Sequence, residues 1–489
     1  MTNTIPAVDP AAETLDTKGE VVSICSSISE HQASFKSKAS IYNVIFSGVA
    51  LASDGYQSGV ISFANLFLKQ IYGSEVFNST MASRLTYSLF VGEIIGQLGF
   101  GLIIDRIGRK FGLVSASLLV ILGAALSAAA SGLSPTGLLW MLIVARGLLG
   151  VGVGAEFPCS SVSAGEATDE IGKKRRGAIF VTVTQFVIDF GYVIAAVVTV
   201  ILLAIFKDHL EPVWRLLLGL GILPPLSVLY FRLRMADSKQ FQENALKKNV
   251  PYWLIFKRYW WRLTVTSVLW FLYDFISYPS SAFSSIVLET VAPDSTLMVN
   301  ASWNILLYAF YLPGCVICAL LVDVIGRRKT MAIGFLLQGI VGLVLGGAYY
   351  PLTNNCFPMF VVMYGAFQMS GEIGGGITGL ISTESFPCAV RGTLYAIAAA
   401  IGKLGAVVGS LCYASMQDTM GGIRGPFLFG SALAIAMSIF AFFTVPEISP
   451  DSLDKEDEDF KQYLRENGYD TSNLGLQTEK PALQPANSN

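Results

Sequence analysis

The chain has 489 residues, of which 53% are hydrophobic and only 14% are charged, and its mean hydropathy is +0.56. This balance excludes an ordinary soluble protein of this length and indicates a membrane protein. The formal net charge is −2, so the composition does not favour a nucleic-acid partner. Only two histidines occur, both outside the apolar segments. Carboxylates would therefore have to carry any protons across the membrane.

Apolar segments organise the chain from the end of its first polar stretch to the start of its last one. Residues 1–40 are polar, lack the apolar core of a signal peptide and predict a disordered tail. Twelve segments long enough to span a bilayer follow, six within 41–233 and six within 263–446. A basic central loop at 234–262 separates the groups, and residues 447–489 form an acidic tail. The predicted fold is an all-α membrane protein with twelve transmembrane helices in two six-helix bundles.

The basic residues of the short loops predict the orientation in the membrane. Lysine and arginine are concentrated after the second, fourth, eighth and tenth segments and in the central loop. Because basic loops stay on the cytoplasmic side, both termini are expected in the cytoplasm. The glycosylation motifs at Asn78 and Asn300 both fall between segments on the other side, so N-glycans are predicted at these two residues.

The two halves repeat one design. Asp105 and Asp323 occupy matching positions 218 residues apart, within similar Gly-Asp-Arg-Lys loops, and Glu166 and Glu384 have the same separation. Parallel repeats of six helices are a transporter architecture. In such a loop small residues let helices approach, the carboxylate lies at a helix end, and the basic cluster anchors the cytoplasmic face. The predicted gating motif comprises Gly101, Asp105, Arg106, Gly108, Arg109, Asp323, Gly326, Arg327, Glu384 and Arg391.

This doubled loop resembles the signature of the major facilitator superfamily, and the resemblance covers roughly residues 41–446. It implies a secondary transporter that works by alternating access of its two halves. No cofactor and no metal are expected. Cys315 and Cys318 have metal-type spacing but lie within an apolar helix without a second pair, which favours inert buried thiols.

One polar helix face lies within the seventh apolar segment. Trp270, Asp274 and Tyr278 follow one another at intervals of four residues, so they project from the same face. Asp274 lies about 18 Å into the segment, near the middle of a bilayer. A carboxylate at this depth is costly and indicates a functional site, although a structural ion pair with another helix is the alternative.

Lys403 in the eleventh segment is the most informative of the intramembrane residues. It could form an ion pair with Asp274 or Asp54 that only holds helices together. The favoured interpretation is an anion site, in which the substrate replaces an internal partner of the lysine. Gln185 and Tyr278 would supply hydrogen-bond donors to phosphate oxygens.

The remaining intramembrane charges include candidates for proton uptake, because burial disfavours the charged form of a carboxylic acid. Asp54, Glu156 and Asp274 are predicted to carry protons. Structural pairing and function are equally consistent with the positions of three further carboxylates, Glu93, Asp189 and Glu372. Arg146, nearer the outer end of the fourth segment, is expected to brace the backbone or a carboxylate.

At these positions the chain resembles the phosphate:proton symporter family. The resemblance implies that Gln185, Trp270, Asp274, Tyr278 and Lys403 bind phosphate and that the carboxylates of the first and fourth helices move protons. Two positions depart from the family pattern: its tyrosine in the fourth helix is Phe157 here, and its asparagine in the tenth helix is Gly375. Both departures remove a polar contact, and Gly375 is expected to open space in the substrate site.

The added volume suits a phosphate that carries a second substituent, and the chain is similar to the fungal glycerophosphodiester permeases of this family. Matching stretches are Ser53–Tyr56, Gly152–Glu156, Trp270–Phe275 and Val390–Gly392. The resemblance implies a proton-coupled importer of glycerophosphodiesters in the plasma membrane, with glycerophosphoinositol the first choice and glycerophosphocholine the next. Inorganic phosphate symport and a nutrient receptor that does not transport are the alternatives. An enzyme is not expected, because no nucleophile–base pair occurs.

Overall fold

The computed structural model describes residues 46, 48–107, 109–171, 175–207, 209–234, 250–447 and 452–469. The predicted N-terminal tail, Gly108 and most of the central loop lie outside the described residues, as do the side chains of Arg106 and Arg109.

Six long helices make up the N-terminal half, and each follows an apolar segment of the sequence. They are α1 (48–76), α2 (Ser79–Ile107), α3 (Arg109–Ala128), α4 (Pro135–Ile171), α5 (Arg176–Phe206) and α6 (Leu210–Arg234). A π-helical turn at Thr182–Phe186 interrupts α5, and a 3₁₀ turn at Leu220–Ile222 interrupts α6.

Six further helices make up the C-terminal half: α7 (Tyr252–Ala282), α8 (Leu297–Val322), α9 (Arg327–Gly347), α10 (Phe357–Gly375), α11 (Arg391–Thr419) and α12 (Arg424–Thr444). Short helices at Ser284–Val291, Tyr349–Asn355 and Thr378–Glu384 follow α7, α9 and α10. Nine helices of the described residues are long and apolar enough to cross a membrane. With α1, α7 and α10 they form the expected twelve-helix fold.

The helix ends follow from local sequence signals. Asn78 precedes α2, and its Oδ1 accepts a hydrogen bond from the backbone amide of Met81 at 2.9 Å. Ser134 and Thr296 cap the amides of Gly137 and Val299 in the same way at the starts of α4 and α8. Such caps satisfy backbone donors that have no partner within the helix.

The predicted boundary between the central loop and the second bundle was too late. The seventh helix begins at Tyr252, directly after Pro251, and not at residue 263. Trp253 and Phe256 are exposed on this extension, whereas Ile255 and Tyr259 are buried against Phe386 and Leu394. This extension has mixed polarity, so a search for continuous apolar residues did not detect it.

The two halves meet along two pairs of helices. In one pair α2 packs on α11, and in the other α5 packs on α8. Within the N-terminal half α4 packs on α2 and α3, and within the C-terminal half α7 packs on α11 and α9 packs on α10 and α12. This arrangement leaves a cavity between the halves, bordered by α4, α5, α7, α8 and α10.

The repeated loop aspartates close one end of this interface, which we call the motif end. Asp105 at the end of α2 accepts hydrogen bonds from the amides of Gly392 at 3.2 Å and Thr393 at 2.6 Å, in the first turn of α11. Asp323 accepts from the amides of Gly177 at 3.2 Å and Ala178 at 2.8 Å, in the first turn of α5. Each carboxylate thus caps a helix of the opposite half, where the helix dipole favours a negative charge.

Glycine at both receiving positions is required by this close approach. A Cβ added to Gly392 would lie 2.5 Å from Asp105 Oδ1, and one added to Gly177 would lie 2.5 Å from Asp323 Oδ1. The predicted importance of Arg391-Gly392 therefore has a steric cause in addition to the charge of the loop.

A charge network extends the second of these contacts. Glu384 accepts two hydrogen bonds of 3.0 Å from the guanidinium of Arg327, which also lies 3.1 Å from Asp323. Arg176 of the opposite half lies 3.7 Å from Glu384. Of the predicted gating residues, Asp323, Arg327 and Glu384 thus form one connected group, and Gly326 has a φ of +91° at the start of α9.

The opposite end of the interface is also closed. Ser62 of α1 forms hydrogen bonds with Ser285 at 2.8 Å and with Ser284 at 3.0 Å, just beyond α7. Lys69 forms an ion pair of 3.0 Å with Glu289. Contacts therefore join the two halves at both ends of the interface.

Part of the acidic tail is helical. The helix α13 (Ser452–Glu466) packs on the motif end of the C-terminal half, where Phe460 and Leu464 are buried. Glu456 accepts hydrogen bonds from Tyr259 at 2.7 Å and from Arg262 at 2.9 Å. The basic start of α7 thus binds the acidic tail.

The prediction of an N-glycan at Asn300 is wrong. Asn300 lies within α8 and not in a loop, and it is only 3% exposed. Its amide nitrogen, the atom that a glycan would modify, donates a hydrogen bond to the carbonyl of Ser285 at 2.9 Å. Asn78 is exposed at the start of α2, so a glycan at Asn78 stays a prediction.

Replacing a capping aspartate should destabilise the interface between the halves. Asp105→Ala removes the acceptor of the Gly392 and Thr393 amides, and buried unsatisfied donors cost about 1–3 kcal/mol each. We expect a lower melting temperature of the purified protein in detergent, and Asp323→Ala should act in the same direction. Glu447→Ala, which removes an exposed ion pair with Arg328, is the control and should leave the melting temperature unchanged. Equal melting of all three variants and the parent would contradict this role.

Candidate functional site

A buried cavity between the two halves contains most of the predicted substrate-binding residues. Gln185 of α5, Phe157 of α4 and the α7 residues Trp270, Asp274 and Tyr278 line it directly. The cavity is also lined by residues that the sequence analysis did not single out as binding residues, among them Ser161, Asp189, Tyr192, Tyr273, Tyr311, Glu372 and Tyr395.

Lys403 lies directly behind this wall of the cavity. Its Nζ is hydrogen-bonded to the hydroxyl of Tyr278, 3.4 Å from Asp274 Oδ2 and 3.5 Å from Glu93 Oε2. All three charged side chains are buried. Because Glu93 lies on α2 and Lys403 on α11, this ion pair joins the two halves.

The contact between Lys403 and Asp274 lacks hydrogen-bond geometry. Asp274 Oδ2 lies within ion-pair distance of Lys403, yet it accepts no hydrogen bond from the described residues. The contact is therefore electrostatic, without the directed hydrogen bonds that make a buried ion pair most stable. An entering anion could take over the ammonium group at the cost of one loosely held internal partner.

Aromatic rings form the side of the cavity next to the lysine. The Phe157 ring lies edge-on to Trp270, with centroids 6.0 Å apart, and its centroid is 5.6 Å from Lys403 Nζ. Trp270 in turn packs edge-on against Tyr395 at 5.2 Å. These rings exclude water from the ammonium group and strengthen its interaction with any bound anion.

The expectation that Gly375 opens space in the site is wrong. A Cβ added at Gly375 would overlap the ring of Tyr273, which fills the volume that a side chain at position 375 would occupy. Gly375 is fully enclosed behind this ring and does not line the cavity. Tyr273 belongs to α7, so the packing of α7 on α10 was needed to show that its ring fills the volume beside Gly375.

The Tyr273 ring brings a second polar cluster to the cavity. Its hydroxyl donates a 2.6 Å hydrogen bond to Glu372 Oε1, and Gln185 Nε2 donates to Glu372 Oε2 at 3.0 Å. Gln185 Nε2 also lies 3.5 Å from Asp189 Oδ1, and the thiol of Cys315 donates to Asp189 Oδ2 at 2.8 Å. The expected inert thiol is therefore a hydrogen-bond donor beside the site. The sequence indicated this cluster only through the intramembrane positions of Asp189 and Glu372. It did not indicate which side chains would bind them.

Glu156 is held by an arginine that the sequence analysis missed. The guanidinium of Arg232, in the last turn of α6, donates to both oxygens of Glu156, and to Ser117 at 2.6 Å. The hydroxyl of Ser160 also donates to Glu156. The Glu156 carboxylate thus forms an ion pair with Arg232 inside the N-terminal bundle and does not line the cavity.

Asp54 lies 220 residues before Asp274, close to the spacing of the repeat, but it has a different environment. It is 5% exposed, and neither of its oxygens accepts a hydrogen bond from the described residues. Its charged neighbours include Glu156, Glu93, Arg232 and Lys403. Arg146 braces the backbone nearby, since it donates to the carbonyl of Gln57 at 2.7 Å.

Gly375→Ala should be destabilising because the new methyl group would displace Tyr273 from Glu372. Overpacking of this kind costs about 1–3 kcal/mol. We expect a clearly lower melting temperature for Gly375→Ala in the parent and a much smaller effect in a Tyr273→Ala background, where the ring is absent. Gly99→Ala, at a lipid-facing position with no atom within 4 Å of the new methyl, is the control. Equal effects of Gly375→Ala in both backgrounds would contradict the contact.

Relatives among characterised proteins match most of the chain. The glycerophosphoinositol permease 1 of Candida albicans is 40% identical over 433 residues, which cover 87% of this chain and 82% of that protein. The glycerophosphocholine permease GIT4 of the same yeast is 40% identical over 441 residues, covering 88% and 83%. The glycerophosphoinositol transporter 1 of Saccharomyces cerevisiae is 38% identical over 443 residues, covering 89% and 84%.

Solved structures support the same architecture. The proton:xylose symporter XylE of the major facilitator superfamily, bound to 6-bromo-6-deoxy-D-glucose, has a TM-score of 0.74 at 20% identity. The match covers 87% of this chain and 99% of that one, and it bears on the fold alone.

A family model described as sugar (and other) transporter matches residues 44–250 and 239–460. The two matches together span both helical bundles. The family and the relatives are transporters and not enzymes, in agreement with the expectation from the sequence. The chain therefore belongs to the sugar (and other) transporter family of the major facilitator superfamily.

Proposed function

We propose that this transporter imports glycerophosphodiesters in symport with protons, with glycerophosphoinositol as the first substrate and glycerophosphocholine as the next. The observation that carries the proposal is Lys403, a buried cation beside the cavity whose ion pair with Asp274 lacks hydrogen-bond geometry. The identity of 38–40% to permeases for these two diesters supports the class of substrate.

The charge balance of the cavity supports proton coupling. Lys403 faces Asp274 and Glu93, and the nearby cluster adds Asp189 and Glu372. A phosphodiester brings one more negative charge into this region of low dielectric. Buried charges of one sign repel strongly, so the anion can enter only when carboxylates bind protons. Asp54, whose oxygens accept no hydrogen bond in the described part of the chain, supports a protonation site on the N-terminal half.

The shape of the cavity favours a substrate with two chemically distinct ends. Lys403, Tyr278 and Gln185 suit a phosphate, whereas the tyrosines further along the wall can accept and donate hydrogen bonds to hydroxyl groups. An inositol ring would use these groups. Phe157, which offers no hydrogen bond at the phosphate end, argues against a site specialised for inorganic phosphate.

The proposal includes the plasma membrane of a fungal cell as the location, with both termini in the cytoplasm. This orientation rests on the basic loops at the motif end. A glycan at Asn78 belongs to the same proposal, because that residue would face the outside. A receptor that signals without transport is the remaining alternative, and signalling in a variant that has lost uptake would favour it.

Lys403→Ala should abolish uptake of labelled glycerophosphoinositol by cells. The change removes the cation for the phosphate and leaves Asp274 and Glu93 buried without a partner, a loss of about 3–5 kcal/mol. Uptake is measured per molecule of transporter at the cell surface. Lys257→Ala, at an exposed lysine of α7, is the matched control and should transport normally.

A second variant separates loss of folding from loss of binding. In Lys403→Ala/Asp274→Asn one unpaired carboxylate is gone, so the amount of folded protein should recover while uptake stays absent. Wild-type uptake by either variant would contradict the assignment of Lys403 to the substrate site.

Competition should define the substrate. Excess unlabelled glycerophosphoinositol and glycerophosphocholine should each inhibit uptake of labelled glycerophosphoinositol, and uptake should rise as the external pH is lowered. Glycerophosphoethanolamine completes the panel. Complete inhibition by an equal excess of inorganic phosphate would instead favour phosphate symport, and uptake that follows sodium and not pH would contradict proton coupling.

A further inference from the structure

Two buried carboxylates face each other across the interface between the halves. Asp189 lies on α5 of the N-terminal half and Glu372 on α10 of the C-terminal half, and they are 2% and 5% exposed. An oxygen of each and the Cys315 sulfur all lie within 4.8 Å of one another. Neither carboxylate was assigned a role by its position in the sequence.

Three other buried carboxylates near the interface have cationic partners, whereas the oxygens of Asp54 on α1 accept no hydrogen bond from the described residues. Glu93 and Asp274 pair with Lys403, and Glu156 pairs with Arg232. In the part of the chain that the structure describes, no lysine, arginine or histidine nitrogen lies within 4.0 Å of Asp189 or Glu372.

The donors around the pair are neutral. Glu372 receives the hydroxyl of Tyr273 at 2.6 Å and the amide of Gln185 at 3.0 Å. Asp189 receives the thiol of Cys315 at 2.8 Å, and its contact with Gln185 is long, at 3.5 Å. Such donors can stabilise one negative charge in a buried site, but two adjacent carboxylates without a cation repel each other.

We propose that Asp189 and Glu372 together bind one transported proton, which they share across the interface of the two halves. The proton comes from water on the side where the substrate enters, forms an O–H bond with one carboxylate and leaves to water on the side of release. With the proton bound, the pair carries one negative charge and joins α5 to α10. After its loss, repulsion between the carboxylates favours separation of these helices.

The titratable groups around the pair, among the described residues, come from α7 and α8. The titratable groups that face it are Tyr273 and Asp274 from α7, Tyr311, Cys315 and Cys318 from α8, and Tyr278 at a longer distance. Asp274 already faces Lys403. This inference rests on the proposed proton coupling and names the residues that carry it.

The test uses the full-length protein in vesicles with the membrane potential clamped at zero. If one proton accompanies each substrate, a difference of one pH unit supports about tenfold accumulation of labelled glycerophosphoinositol. Glu372→Gln and Asp189→Asn mimic the neutral form, so accumulation should fall about tenfold, to the level reached without a gradient. Exchange of labelled for unlabelled substrate needs no net proton movement and should continue in both variants. Glu447→Gln, an exposed carboxylate at the motif end, should accumulate substrate like the parent.

Each outcome decides the question. Normal accumulation in both carboxamide variants would overturn this inference while leaving proton coupling intact. Failure of the parent to respond to the pH difference would overturn the proposed coupling itself. Loss of exchange together with accumulation, in variants that melt like the parent, would assign the pair to substrate binding. Loss of parental accumulation on adding EDTA would indicate a metal ion held by Asp189, Cys315 and Glu372. If one variant fails to fold, the other decides.

Discussion

The arrangement of this transporter depends on a lysine buried between its two halves. Lys403 on α11 has its counter-charges on α7 of the same half and on α2 of the other half, at 3.4 and 3.5 Å. A cation without such partners would be too costly at this depth. Under the proposed function, the substrate anion would compete with these internal carboxylates for the one ammonium group.

Contacts between the two halves lie at both ends of the interface that contains this charge. At the motif end Asp105 and Asp323 cap the first turns of α11 and α5, each from the opposite half, and at the other end Ser62 and Lys69 contact the segment after α7. Since the two caps are related by the repeat, similar contacts must break when that end opens. The polar groups of the interface therefore hold the two bundles together at both ends of the cavity.

Sequence reasoning brought Gln185, Trp270, Asp274, Tyr278 and Lys403 together correctly as neighbours, because a buried charge must find a partner and the repeat limits where it can be. Sequence reasoning failed to identify a partner residue when nothing in the sequence distinguished that residue from its neighbours. Arg232 is one of several basic residues at a helix end, yet it enters the bundle to bind Glu156. Likewise, the pairing of Asp189 with Glu372 depends on how α5 and α10 align across the interface, and no local sequence pattern predicts that alignment.

The sequence by itself determined the membrane location, the twelve helices, the two-fold repeat and the residues of the doubled loop, because hydropathy, caps and spacing are local properties of the chain. Only the tertiary structure decided that Tyr273 fills the space beside Gly375, that Asn300 turns inward, and that Gln185 reaches Glu372, 187 residues away in the chain. Those features result from side chains of different helices competing for one volume or one hydrogen-bond partner. Such competition is settled only when the helices are packed together.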